Sequence, residues 1–132
     1  MTRFDAATEP ERLQLFADAA AAHRARSSDV MTVDVDPDSD VSDGGDVPPW
    51  IQLAGTELIM DCTDTELERL KGLLDAFPEF RIDELVNPEE TEGTNVVITA
   101  RSDVNRVAGF IEQALREVYT LDDDYRAWVT TI

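Results

Sequence analysis

The nucleophile and base chemistry open to this sequence is narrow. It holds one histidine, His23, one cysteine, Cys62, and five serines, Ser27, Ser28, Ser39, Ser42 and Ser102. A Ser-His-Asp relay would have to join His23 to a distant serine, and no serine stands in the strand-to-helix elbow that exposes a nucleophile. One histidine with no second His or Cys nearby makes a poor metal site. At the end of an alanine-rich stretch, a histidine ordinarily serves as a cation against a helix C-terminus. Cys62 falls between a strand and a helix start, where a thiol pKa can drop. A lone strand cysteine is more often a small buried apolar group. These positions assign no catalytic, cofactor-binding or metal-binding residue, and the expectation is a protein without enzymatic activity or cofactor.

Carboxylates are abundant instead. Asp34, Asp36, Asp38, Asp40, Asp43 and Asp46 crowd into thirteen positions with Gly44 and Gly45. A calcium loop needs Gly at its sixth position and Glu at its twelfth. Counted from Asp34 these are Ser39 and Gly45, so the segment reads as a solvated linker. Gly44-Gly45 joins no strand to a helix, so it is not a phosphate loop. Arg69 and Arg106 fall at matched places on two helices. Surface pairing with Glu66, Asp75 or Asp103 is a simpler use for them than a shared anion site. The best candidate for a base-stacking strand, Thr94 to Arg101, has no aromatic residue, unlike the sheets that stack RNA bases. No nucleic-acid partner is expected.

Trp50, Phe80, Tyr125 and Trp128 lie in or beside strands. They form the candidate interaction surface, on a sheet face that helices leave uncovered. Core packing accounts for at least half of them.

The elements that must position these residues follow from periodicity. Residues 8–24 read as a helix, with Thr8 and Glu11 at capping-box spacing, Pro10 in the first turn, and a thin apolar face of Leu13, Phe16, Ala17 and Ala20. Residues 25–48 read as a linker, within which residues 30–35 suit a short strand. Trp50 to Leu53 and Leu58 to Cys62 are strand candidates joined by a turn at Ala54, Gly55 and Thr56. Thr63 and Glu66 open a helix that Pro78 stops. Phe80 to Leu85 and Asn95 to Ala100 are further strands, separated by an acidic hairpin loop at 87–94. Ser102 caps a helix with the core stripe Val104, Val107, Ala108, Ile111, Ala114, Leu115 and Val118. Residues 125–132 form the last strand.

A repeat runs through this pattern. The nine residues from Leu67 align with those from Val104 at an offset of 37, matching Arg69 to Arg106, Leu70 to Val107 and Gly72 to Gly109. Each helix has a strand on either side. Two β-α-β units side by side give an α+β, ferredoxin-like βαββαβ core, a four-stranded antiparallel sheet with two helices on one face. The expected organisation is an N-terminal helix at 1–27, an acidic linker at 28–49 and the ferredoxin-like domain at 50–132. Matched mid-helix glycines suggest close packing at Gly72 and Gly109. One conflict stands: a hairpin of residues 50–53 with 58–62 gives the central strand a third neighbour.

Composition narrows the setting. The 132 residues carry 29 acidic and 11 basic side chains, a net charge of −18, and Lys71 is the only lysine. Such a charge strains a compact state by self-repulsion in dilute buffer. Molar salt, with a Debye length of about 3 Å, screens it. The acidic residues are spread along the whole chain, which points to adaptation to a salt-rich cytoplasm. The N-terminus has no long apolar core, and no run approaches the ~18 apolar residues of a membrane span.

Arg3-Phe4-Asp5, Pro48-Pro49-Trp50, the stretch from Phe77 to Asp83 and the close from Asp124 to Val129 together resemble the short acidic proteins of haloarchaea grouped as domains of unknown function. That resemblance implies no activity and assigns no functional residue. The βαββαβ order is also similar to that of amino-acid-binding regulatory domains. The function expected is a non-catalytic interaction or regulatory module that meets a protein partner or a second copy of itself. The alternative is a small-molecule sensor using the strand-to-helix turns at Cys62 to Asp64 and Ala100 to Asp103. A site built from dispersed carboxylates cannot be singled out against so acidic a background.

Overall fold

Seven stretches of alternating side chains settle into one antiparallel sheet in the order β1-β7-β2-β3-β4-β6-β5. The strands are β1 (Asp5–Ala6), β2 (Met31–Val35), β3 (Trp50–Ala54), β4 (Glu57–Cys62), β5 (Arg81–Val86), β6 (Thr94–Thr99) and β7 (Ala127–Thr131). The helices are α1 (Glu9–Arg26), α2 (Asp64–Leu74) and α3 (Val104–Gln113), the last running on as a π-helical turn, Ala114–Val118. The structure, a computed structural model, describes residues 5–26, 30–35, 49–86 and 93–131. Arg3, Phe4, the carboxylates from Asp36 to Asp46, Ser27, Ser28, Ser39, Ser42 and the acidic loop at 87–92 lie outside the described residues.

The ferredoxin-like core is therefore corrected: among the described residues there are seven strands rather than four, and three helices rather than two on a smaller sheet. The order β4-β6-β5 is the one a βαββαβ sheet would have. The departure comes at the other side of β4. There the short turn at Gly55, with φ of 65°, lets β3 fold back on β4, with Leu53 opposite Leu58 and Ile51 opposite Met60. That hairpin takes the place the last strand would need. β7 pairs instead with β2 and β1.

β2 is the element that makes this possible. Met31, Val33 and Val35 alternate with Thr32 and Asp34, and both edges of the strand are paired. A five-residue strand among aspartates is thus an interior strand. Two split β-α-β units result. In one, β1, α1 and β2 embrace β7; in the other, β4, α2 and β5 embrace β6.

One sheet face is apolar. Met31, Val33, Ile51, Leu53, Leu58, Met60, Val96 and Ile98 are all buried there. The helices cover it. α3 is the central one, with Val107, Ala108, Phe110, Ile111, Ala114, Leu115 and Val118 fully enclosed. α1 packs on α3, burying Phe16, Ala17 and Ala20; the two alanines are small enough to allow a close approach. α2 packs on the π-helical end of α3.

The helix ends are satisfied locally. Thr63 and Glu66 form a reciprocal capping box on α2. Asp103, rather than the expected Ser102, caps α3 by accepting from the Arg106 amide. An aspartate one residue on has the same reach and adds charge against the helix dipole. The arginines at matched positions each reach the C-terminal end of the opposite helix: Arg69 donates to the Val118 carbonyl and Arg106 to the Ala76 carbonyl. Arg106 also pairs with Glu79 at 3.0 Å and lies over the Phe77 ring. The close packing expected at Gly72 and Gly109 is absent, since a methyl group at either would meet nothing within 4 Å.

Candidate functional site

With all three helices on one side, no helix among the described residues covers the other side of the sheet. Its residues are those that alternate with the core: Trp128 and Thr130 on β7, Thr32 and Asp34 on β2, Trp50 and Gln52 on β3, Ile59 and Asp61 on β4, and Val97 and Asn95 on β6. Cross-strand register arranges them in rows. Thr130, Thr32, Gln52, Ile59 and Val97 make one row, in which Gln52 reaches the Thr32 hydroxyl. The neighbouring row places Trp128 opposite Asp34 and Asp34 opposite Trp50, with Asp5 of β1 on the far side of Trp128.

The four aromatics expected at an interaction surface therefore divide. Trp50 and Trp128 stand two strands apart on the open face, Trp128 with 44% of its surface exposed. Phe80 and Tyr125 lie in the core. Phe80 stacks with Phe77 and Phe110 at centroid distances of 5.5 and 4.9 Å, filling the space under the end of α2.

Tyr125 belongs to a buried polar cluster. Arg12 of α1 makes a bidentate pair with Glu112 of α3, at 2.9 and 2.7 Å. The Tyr125 hydroxyl donates to the same carboxylate at 2.6 Å, and Arg12 donates to the Tyr125 carbonyl while lying over its ring. Burial works against the Arg12 charge, but the hydrogen bond to Glu112 and the charges around it outweigh that, and its pKa is raised. Burial beside Glu112 raises the tyrosine likewise. Every charge in the cluster is matched inside it, which is what a structural clamp between α1 and α3 requires. A sequence signal for it existed. Arg12 and Glu112 sit on the apolar faces of their helices, Arg12 one turn before Phe16 and Glu112 one turn after Ala108.

His23 is also buried, at 2% exposure. Its Nε2 accepts from the Gly55 amide at 3.0 Å, tying the end of α1 to the β3–β4 turn. Its Nδ1 is buried without a partner among the described residues. Burial and the nearby Arg24 lower its pKa, so it is a neutral acceptor rather than a cation on the helix end.

Cys62 is enclosed in the core, and burial pushes its thiol up to about 12. The Tyr119 hydroxyl beside it donates to the Asp61 carbonyl. The strand-to-helix turns are filled from within. Glu66 holds the Thr63 amide, and the Asp103 carboxylate occupies the start of α3. Among the described residues, no three His, Cys, Asp or Glu side chains converge as a metal site would need, and no helix is long and apolar enough to cross a membrane.

No curated protein and no solved structure matches this chain. A family model does match, over residues 1–132, and the chain belongs to that family, the family of unknown function DUF7975.

Proposed function

We propose that this member of the family is a non-catalytic interaction module that binds a protein partner through the open face of its sheet. The carrying observation is that face itself, free of helices among the described residues and holding both tryptophans of the chain. Trp128, Trp50, Ile59 and Val97 give it apolar area that water wets poorly, and the paired interior strands hold it rigid. Strands at ~4.8 Å spacing span about 30 Å across the sheet, and with strands ~17 Å long the face has a footprint of roughly 500 Å², the scale of a transient contact. The side chains with chemical potential elsewhere are engaged in holding the fold: Arg12, Glu112 and Tyr125 clamp two helices, and His23 anchors a turn. The net charge of −18 fits work in a salt-rich cytoplasm of the haloarchaeal kind, where polar contacts weaken and stacked apolar contacts persist.

The test is capture from host lysate in molar KCl with three baits: wild type, Ile59→Glu on the open face and Asp75→Asn on the helix side. A stoichiometric protein held by wild type and Asp75→Asn but released by Ile59→Glu supports the reading. A partner held equally by all three, or an isolated wild-type protein that remains monomeric, overturns it.

A further inference from the structure

We infer that the row Trp128–Asp34–Trp50 is a guanidinium-binding site, and that the partner inserts an arginine side chain there. This rests on the interaction reading above and assigns its chemistry. Three observations combine. Register places one carboxylate between two indoles, borne by the strands on either side of its own, on a face that no helix among the described residues covers. The Asp34 carboxylate is exposed, and among the described residues no hydrogen bond or ion pair engages it. The other charges on this face are mainly acidic: Glu57, Asp61 and Glu84 stand on it, Asp61 accepting from Asn95. The basic groups lie at its margins, Arg81 on the edge strand and Arg126 paired with Asp5.

An anionic group flanked by π-faces suits a cation that is flat and apolar on its own faces. The strands bearing the two indoles are about 10 Å apart, twice the ~4.8 Å strand spacing, so a planar group can enter between the rings and reach the carboxylate below. Guanidinium fits better than ammonium. It stacks on indole, is weakly hydrated, and presents two parallel N–H donors to a carboxylate. A lysine would have to shed a tighter water shell. The same chain carries an example of this chemistry in its interior, where Arg12 lies 3.9 Å from the Tyr125 ring centroid while paired with Glu112.

The experiment uses the intact protein and the two indole N–H signals in its ¹H–¹⁵N spectrum, one from Trp50 and one from Trp128. The probe is the blocked peptide Gly-Ser-Arg-Ser-Gly, with citrulline and lysine versions as controls, in dilute and in molar KCl. A single charge on the probe keeps attraction to the overall charge of −18 small. The arginine peptide should shift both signals saturably, Asp34→Asn and Trp128→Leu should each weaken it roughly tenfold, and Asp75→Asn should leave it unchanged. Equal binding of the citrulline or lysine peptide, an unchanged affinity in Asp34→Asn, or no saturable shift in wild type overturns the assignment. The two readings fail separately. A partner released by Ile59→Glu with no response to arginine leaves the interaction module standing without this site. An arginine response with no captured partner leaves the site standing alone.

Discussion

At the scale of single residues, the fold depends on polar groups placed where apolar ones would be expected. Removing one charge from the Arg12–Glu112 pair leaves the other buried without compensation. Glu112→Gln should therefore lower unfolding free energy by about 3–5 kcal/mol, whereas the double change Arg12→Met, Glu112→Leu should recover most of it. Urea denaturation of the three variants measures both effects. His23 makes a pH-dependent contribution of known sign. Its folded pKa lies below the usual 6.5, because burial and Arg24 disfavour the cation. The unfolded chain thus takes up the proton first. The stability His23 supplies is fully present above about pH 6.5 and is lost as pH falls below it. The protonated ring would also face the Gly55 amide donor with a second donor. Between pH 7.5 and 5.5 the wild type should lose more stability than His23→Gln, whose amide oxygen can still accept from Gly55. Equal losses in thermal melts at the two pH values would show that His23 does not titrate in this way.

At the scale of elements, what the sequence makes legible is what is local. The capping box of α2, the stripe on α3 and the turn at Gly55 are written in side chains a few residues apart, and the structure has them. Pairing between distant strands is not written that way. β2 reads as part of a linker because aspartates surround it, and only its pairing with both β3 and β7 shows that Met31, Val33 and Val35 belong to the core. The same limit applies to the candidate site. Trp128 and Asp34 are far apart in sequence and adjacent only through register, and nothing local distinguishes Trp128 from Tyr125, which is buried. The matched glycines of the repeat mislead for a different reason, because equal residues at equivalent positions need not mean equal packing. Open space at Gly72 and Gly109 leads to a direct prediction. Gly72→Ala and Gly109→Ala should each stabilise the protein by about 0.5–1 kcal/mol, by relieving the helix cost of glycine. Their effects should add, since they lie on different helices, and paired melts of the single and double variants check this.

At the scale of the whole molecule, charge governs behaviour outside the core. Most of the 29 carboxylates have no basic counterpart, as only 11 arginine and lysine residues exist. Their mutual repulsion is long-ranged in dilute buffer and shrinks to contact distances at about 1 M salt, where the Debye length is ~3 Å. Melting temperature should rise steeply as KCl goes from 0.1 M toward molar concentration. The buried Arg12–Glu112 pair is out of reach of the ions, so the loss caused by Glu112→Gln should change little over the same range. A melting temperature indifferent to KCl would show that the acidic surface is not a stability device. The edge of the sheet fits the same design. β5 carries Arg81, Asp83 and Glu84 and a register irregularity between Ile82 and Glu84, which discourages edge-to-edge growth despite the exposed Leu85 and Val86.

The interior position of β7 has a consequence for how the chain is made. β7 lies between β1 and β2, so those two strands have no common neighbour until Ala127–Thr131 has been synthesised. Until then α1 also lacks β7 beneath it, and the Tyr125 hydroxyl that completes the cluster around Glu112 has not arrived. The fold therefore cannot close before β7 has emerged. A nascent chain stalled before β7 emerges should remain open to proteolysis along β1, α1 and β2, and emergence of β7 should turn the whole sheet resistant in a single step.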